Sequence, residues 1–136
     1  MANITTQLML SQQTHPSDST TQTATGDAVK ANGYYGQADG RHTVQFSVTG
    51  FIGKIRIEGS LLESPTASDW ATIELGNGVS TMDTTGAISA ANITYLEYTE
   101  VTTTNVSYNF TGNFVKVRAV VYDWTDGTVN SIRVNY

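Results

Sequence analysis

The most constraining feature of the sequence is a two-residue alternation of apolar and polar side chains near its C-terminal end. Small apolar residues occupy every second position of one stretch: Val115, Val117, Ala119 and Val121. Residues 123–127 follow, and their Asp-Gly pair, Asp126 and Gly127, favours the left-handed backbone of a tight hairpin turn. The pattern predicts two antiparallel strands joined by this turn, the second of them over residues 128–136.

The same alternation continues from residue 41 onwards and sets the predicted core and fold. Residues 41–49 and 53–63 are predicted strands, joined by a turn at 50–53. Nine apolar residues are predicted to share one core: Val44, Phe46, Val48, Ile55, Ile57, Val115, Val117, Ile132 and Val134. About eight to ten short strands with turn residues every 8–12 positions indicate one all-β domain over residues 1–136. We expect two antiparallel sheets that form a jelly-roll-like β-sandwich, because each strand has one apolar face.

Composition excludes several classes of protein. The chain has 136 residues, no cysteine and a formal net charge of −5. Its length is sufficient for a single domain with a real core, and the lack of cysteine excludes disulfides and thiolate chemistry. An acidic chain without clustered Lys and Arg lacks the surface that binding to nucleic acid requires. Charged residues make up only 14% of the sequence, which favours packing against other subunits.

The sequence predicts no catalytic, cofactor or metal site. The two histidines, His15 and His42, have no His or Cys partner at metal-ligand spacing. Asp123 and Asp126 lie in the predicted turn, supply too few oxygens for a calcium loop, and are ordinary turn residues. Neither a nucleophile elbow nor a paired-carboxylate motif occurs. We therefore expect no enzymatic activity, no metal and no cofactor.

Residues 12–26 are the longest polar stretch, and they contain no large apolar residue. Such a segment cannot bury enough surface to order itself, and long loops in small domains usually serve a contact. We expect a long loop or an arm that lies on a neighbouring subunit.

The sequence also contains no recognisable signal for export and no membrane-spanning segment. Its first residues include neither a basic nor an apolar targeting region. No stretch approaches the roughly 20 apolar residues of a membrane helix. We expect synthesis in a cytoplasm and no contact with a membrane.

Four aromatic residues are candidates for a core or a contact role. Trp70 begins a predicted strand, where a large ring usually caps the core, and stacking on a ligand is the alternative. Trp124 lies in the predicted hairpin turn, where we expect an exposed ring that anchors a contact with another chain. Packing of Trp124 on its own hairpin is the open alternative. Tyr34 and Tyr35 are the next candidates for such a contact.

Basic residues form a second candidate contact site. Lys54 and Arg56 share the outer face of one predicted strand, and Lys116 and Arg118 share that of another. If both strands belong to one sheet, these residues form a basic stripe that a partner surface recognises. The more usual arrangement is cross-strand pairing with acidic residues, and the candidates are Glu58, Glu97 and Glu100.

Three segments occur in a fixed order between residues 41 and 136. They are Ile57-Glu58-Gly59-Ser60, then Asp69-Trp70, then Phe114-Val115-Lys116-Val117-Arg118. This order resembles the small β-sandwich proteins of tailed bacteriophage virions, in which an x-Ile-x-Gly-Ser … Asp/Asn-Trp segment precedes a Phe-x-x-Val-Arg strand. The family's usual Asp-Gly between the first two segments is replaced here by a longer loop, residues 62–67.

The resemblance implies a structural protein of a phage particle, such as a capsid decoration, head–tail, tail or fibre subunit. Its partners would be other virion proteins, its location the virion, and we expect a homo-oligomer such as a trimer. The alternative is a carbohydrate-binding or adhesion module, which Trp70, Trp124 and the seven tyrosines favour. Such a module carries two or three aromatic rings on one exposed sheet face, so the placement of these rings discriminates between the two functions.

Overall fold

The computed structural model describes residues 6–37, 39–82 and 88–136, and these ranges are all-β apart from a short 3₁₀ helix, Asn32–Tyr35. The strands in chain order are β1 (Gln7–Leu10), β2 (Gln13–Thr14), β3 (Gln22–Thr25), β4 (Val29–Lys30), β5 (Arg41–Ser60), β6 (Ala71–Thr72), β7 (Leu75–Met82), β8 (Ile88–Ile93), β9 (Leu96–Thr111) and β10 (Lys116–Asn135). No helix of the described ranges has the length and apolar character to cross a membrane.

All ten strands of the described ranges belong to one antiparallel sheet, and β10 pairs with more of them than any other strand does. The main strand order is β1-β10-β5-β9-β7-β8, and β6 pairs with the far end of β5. On one side β10 pairs with β5, and on the other it pairs in succession with β4, β3, β2 and β1. The predicted antiparallel all-β fold is therefore confirmed.

The two predicted hairpin turns are wrong, because their residues lie inside long strands. β5 and β10 each run for 20 residues and pair with one another from Thr43↔Asn135 to Lys116↔Ser60. The segments 50–53 and 123–127 interrupt this pairing only as register shifts. Each shift leaves one or two extra residues on one of the strands, which is the mark of a β-bulge.

Left-handed backbone explains why turn-like residues occur at these bulges. Gly50 has a φ of 59°, Asp123 of 47° and Gly127 of 88°. A bulge can use this conformation just as a hairpin turn does, and it bends the strand instead of reversing it. The two bulges face one another closely, since a Cβ on Gly127 would clash with the Gly50 carbonyl oxygen.

Residues 12–26 are not one continuous loop or arm, because two parts of the stretch, β2 and β3, pair with the chain's own β10. β2 pairs with Thr128 and Val129, and β3 pairs with β10 between Val120 and Trp124. Backbone hydrogen bonds to β10 supply the order that the polar side chains cannot supply by burial. Residues 15–21 leave the sheet as a loop, and the side chain of His15 at its base is buried.

The predicted core is confirmed at eight of its nine positions, and Val115 is half-buried. Along β5 the buried residues change from even to odd numbers at the bulge: Val44, Phe46 and Val48 precede it, and Phe51, Ile55 and Ile57 follow. One extra residue moves all later side chains to the other face, so the bulge keeps a single inner face apolar. Buried residues from both ends of β5 and β10 belong to one core cluster.

Candidate contact face

The outer face of the sheet brings together the four basic residues predicted to form a stripe. Four cross-strand pairs define this face: Lys116↔Ser60, Arg118↔Glu58, Val120↔Arg56 and Tyr122↔Lys54. Residues directly opposite one another in antiparallel strands point to the same side, so all four basic side chains share it. We call the group around its centre the outer-face cluster, and its members are Lys54, Arg56, Glu58, Trp70, Arg118 and Tyr122.

Glu58 is the electrostatic centre of the outer-face cluster. Its side chain is 10% exposed. Its carboxylate accepts a hydrogen bond from Arg56 Nε at 3.1 Å and another from Arg118 Nε at 2.8 Å. A carboxylate that loses most of its water needs such charged donors, because an unpaired buried charge is strongly destabilising. Glu58 in turn fixes the direction of both guanidinium groups.

Two aromatic rings flank these arginines. The guanidinium carbon of Arg118 lies 4.3 Å from the centre of the Trp70 ring, and that of Arg56 lies 4.6 Å from the centre of the Tyr122 ring. A cation over a ring face contributes about 0.5–2 kcal/mol, depending on its exposure. Trp70 is half-buried here and does not join the core, so its predicted core position is wrong. The reason is that β6, which follows it, pairs with β5 at Glu58 and so brings the ring beside the outward-facing Arg118.

Lys54 forms the other end of the outer-face cluster and is held by two acidic residues. Its Nζ lies 3.5 Å from Glu97 Oε2 and 3.3 Å from Asp123 Oδ2. The hydrogen bond with Asp123 raises the pKa of Lys54 above its usual value. A raised pKa favours the charged form of the amine, which both carboxylates attract. These residues line a surface cleft of about 280 Å³, whose charged groups are thus paired with one another.

The two aspartates of the predicted turn, Asp123 and Asp126, both have structural partners. Asp123 pairs with Lys54, and Asp126 Oδ1 accepts the Gly127 N–H at 2.8 Å. No group of three or more His, Cys, Asp or Glu side chains within the described residues is placed to hold a metal ion. The alternative of cross-strand pairing is confirmed for Glu58 with Arg118 and for Glu97 with Lys54, whereas Glu100 forms no ion pair within the described residues.

The sequence analysis did not predict that Tyr122 and Asp123 contact the basic residues of this face. For Tyr122 a signal existed, because the two-residue period that places Lys116 and Arg118 on the outer face extends to position 122. For Asp123 no signal existed, since its meeting with Lys54 depends on the bulge at 123–127.

A second group, which we call the basic end, lies where β10 begins. Its members are Lys30, Tyr34, Leu61, Leu62 and Lys116. Lys30 is directly opposite Lys116, and their Nζ atoms lie 4.5 and 5.8 Å from the centre of the Tyr34 ring. Leu61 is 70% exposed and Leu62 is 50% exposed. Tyr34 and Leu61 line a shallow cavity of about 450 Å³ between them.

Tyr35, the other predicted tyrosine contact, is a surface residue next to this group. It is 49% exposed, and its ring stacks on that of Tyr136 at a centroid distance of 5.3 Å. Tyr34 meets it edge-on at 5.2 Å. The predicted tyrosine pair is therefore available for a contact, although part of its surface is used within the chain.

Trp124 is not exposed, so the predicted surface anchor is wrong and the alternative of packing on its own chain is correct. The residue is 4% exposed and belongs to the core cluster. Its indole N–H donates to the Asp126 carbonyl oxygen at 2.9 Å, and its ring meets His15 edge-on at 5.6 Å. Because residues 123–127 form a bulge and not a turn, position 124 faces the core beside Phe51.

The two histidines have structural roles. His42 is 3% exposed and lies flat against Phe110, with ring centroids 4.4 Å apart. Its Nε2 accepts the Asn32 N–H at 3.2 Å, so Nδ1 carries the proton and donates it to the Gly40 carbonyl oxygen at 2.9 Å. Burial lowers the pKa of His42. His15 is similarly occupied, since Nδ1 accepts the Ser17 N–H at 3.0 Å.

Comparisons of the chain with protein-family models, with curated proteins and with solved structures give no match. The contacts of the outer-face cluster and of the basic end are therefore the basis for any function assigned to the protein.

Proposed function

We propose that the protein is a non-enzymatic structural subunit of a tailed-phage particle, of the capsid decoration, head–tail or tail type. Its role would be to stabilise the particle through repeated contacts with copies of itself and with other virion proteins. It would be made in the host cytoplasm and would reside in the virion, without binding nucleic acid or membrane. The class of particle follows the resemblance noted in the sequence, and the support for a role in assembly comes from the contacts of the outer face.

The observation that carries the proposal is the composition of the outer-face cluster. Arg, Trp and Tyr are the residue types most enriched among the energetically dominant positions of protein interfaces. Arg56, Trp70 and Arg118 occur here together, half-buried, and are already oriented by Glu58. Side chains that are ordered before binding lose less conformational entropy when a partner covers them.

A finer proposal concerns the fold. We infer that the bent sheet closes into two packed layers, as in a jelly-roll-like β-sandwich. The support is that a sheet buries a face only against another layer, and that one core cluster includes residues from both ends of β5 and β10. The bulges at 50–53 and 123–127 are where such a bend is easiest.

The test is to locate the protein on purified particles by negative-stain microscopy with a specific label. We expect label at a regular position on each particle. A variant with Arg56→Ala and Arg118→Ala should show reduced occupancy, whereas Arg133→Ala, which changes an exposed arginine elsewhere in the sheet, should not. Particles without label would contradict the proposal.

A carbohydrate-binding or adhesion role is the second candidate, and one observation favours it. Trp70, Tyr95 and Tyr122 all lie next to cations of the outer-face cluster, so one face carries three aromatic rings. Against this role, Arg118 covers a face of the Trp70 ring that a sugar would need. Glycan-array binding that Trp70→Ala abolishes and Arg133→Ala preserves would favour this candidate over the first.

A further inference from the structure

The basic end contains a like-charge contact that the described part of the chain leaves without compensation. Lys30 and Lys116 are directly opposite one another on neighbouring strands, an arrangement that is destabilising for like charges. Both approach the Tyr34 ring, and Glu63 lines the same cavity as that ring, but within the described residues neither lysine forms an ion pair. Two exposed leucines, at positions 61 and 62, directly follow Ser60, the residue opposite Lys116. A partner with a carboxylate and an apolar side chain would neutralise the two lysines and cover the exposed leucines.

The chain itself has a surface with these two properties on β9. Val101 is 68% exposed, and among the exposed large apolar side chains only Leu61 exceeds it within the described residues. Glu100, directly before it, is also exposed and has no basic partner in the described part of the chain. Between Tyr98 and Thr102 the register of β9 against β5 shifts, so these residues lie in a bulge where the strict alternation of faces is broken. We call Glu100 and Val101 the acidic edge.

One copy of the protein cannot join its own two surfaces. The acidic edge lies near Gly50, whose N–H donates to Thr103 Oγ1 at 3.0 Å. The basic end begins at Ser60, which pairs with Lys116. Ten residues of β5 separate these points, which is roughly 30 Å of extended strand. Joining them therefore requires a second copy.

We propose that the basic end of one copy docks on the acidic edge of a second copy of this chain. Glu100 of the second copy receives the ammonium groups of Lys30 and Lys116, and Val101 packs against Leu61 and Leu62. Charge supports this direction of docking, since two lysines of the basic end would meet a carboxylate of a chain whose net charge is −5. The two surfaces differ, so the contact is head-to-tail and continues into rings or filaments.

This inference rests on the proposed role as a repeated subunit and names its contact. The test is light scattering of the purified protein against concentration, at low and high salt. We expect self-association with a Kd tighter than about 1 mM that weakens as salt increases. Lys116→Glu and Glu100→Lys should each weaken association on the order of tenfold, and the control Arg133→Glu should change it less than about twofold.

A mixture of the two charge-reversal variants provides the decisive test. In the mixture each contact again joins opposite charges, so association should return to within about threefold of the wild-type value. A wild-type protein that stays monomeric, a control as damaging as the test variants, or a mixture without recovery would each overturn the inference. Labelled particles together with any of these results would leave the proposed function standing and remove only this contact.

Discussion

The two tryptophans lie on opposite faces of the same sheet and are held by different forces. Trp124 is 4% exposed and packs against Phe51 and His15 on the inner face. Trp70 is half-buried on the outer face, beneath the guanidinium of Arg118. The sequence pattern predicts the reverse placement, with Trp70 in the core and Trp124 at the surface. The difference teaches that strand pairing decides where an aromatic ring lies, and neither ring's local sequence reports that pairing.

The largest expected effect comes from truncating each tryptophan in turn. Trp124→Ala should lower the free energy of unfolding by about 3–5 kcal/mol, because it leaves a cavity in the core. Trp70→Ala should lower it by about 1 kcal/mol, because it removes a partly exposed cation–π contact. Urea unfolding followed by circular dichroism measures both losses. Equal losses would contradict the difference between the two faces.

The bulge that places Trp124 inside can be tested at its glycine. Gly127→Ala should lower the free energy of unfolding by about 2–4 kcal/mol, because left-handed strain adds to a clash with the Gly50 carbonyl oxygen. Gly36→Ala is the matched control, since Gly36 has a φ of 69° and no atom within 4 Å of an added Cβ. The control should lose only about 1 kcal/mol by strain. Thermal unfolding of both variants separates the clash from the strain.

The ion pairs of the outer face depend on Glu58. Glu58→Gln should lower the free energy of unfolding by about 1–3 kcal/mol, because two half-buried guanidinium groups lose their counter-charge. Glu97→Gln is the control, since that side chain is 45% exposed and such pairs contribute at most about 1 kcal/mol. Chemical denaturation at low and high salt measures both variants. Equal losses would show that Glu58 does not organise the outer-face cluster.

The smallest expected effect is a pH dependence from the inner face. Burial holds the pKa of His42 below its usual 6.5. Between that lowered pKa and 6.5 the unfolded chain binds a proton more readily than the folded chain does. The free energy of unfolding should therefore be fully retained above pH 6.5 and should decrease as the pH falls below it. Melting temperatures against pH should show a shallower decrease for His42→Gln, and an unchanged slope would contradict this role.

The inner face was predictable because it needs only a two-residue period. Val44, Phe46 and Val48 alternate with polar residues, so an extended strand places all three on one face, where they are buried. The bulges were not predictable as bulges, since Gly50 and Gly127 have a backbone conformation that hairpin turns share. The ordered structure of residues 12–26 was also not predictable. It comes from backbone pairing with β10, which the composition of the side chains does not indicate.

The outer-face cluster was predictable in part. Lys54 and Arg56 share a face by spacing alone, and so do Lys116 and Arg118. Their meeting required β5 and β10 to be neighbours, which spacing does not determine. The position of Trp70 beside Arg118 depends further on β6, a two-residue strand too short to leave a periodic signal.

The pairing of β10 with five other strands has a consequence for how the protein is made. Strands β1 to β5 all pair with β10, and the register Gln7↔Val134 joins residues from opposite ends of the described chain. Until residues 116–135 emerge from the ribosome, those earlier strands have no partner along this edge. Loops this long are costly to close, so folding should take milliseconds to seconds and should follow synthesis of β10. During that delay unpaired strand edges are open to other chains, which makes the rate of synthesis a determinant of yield.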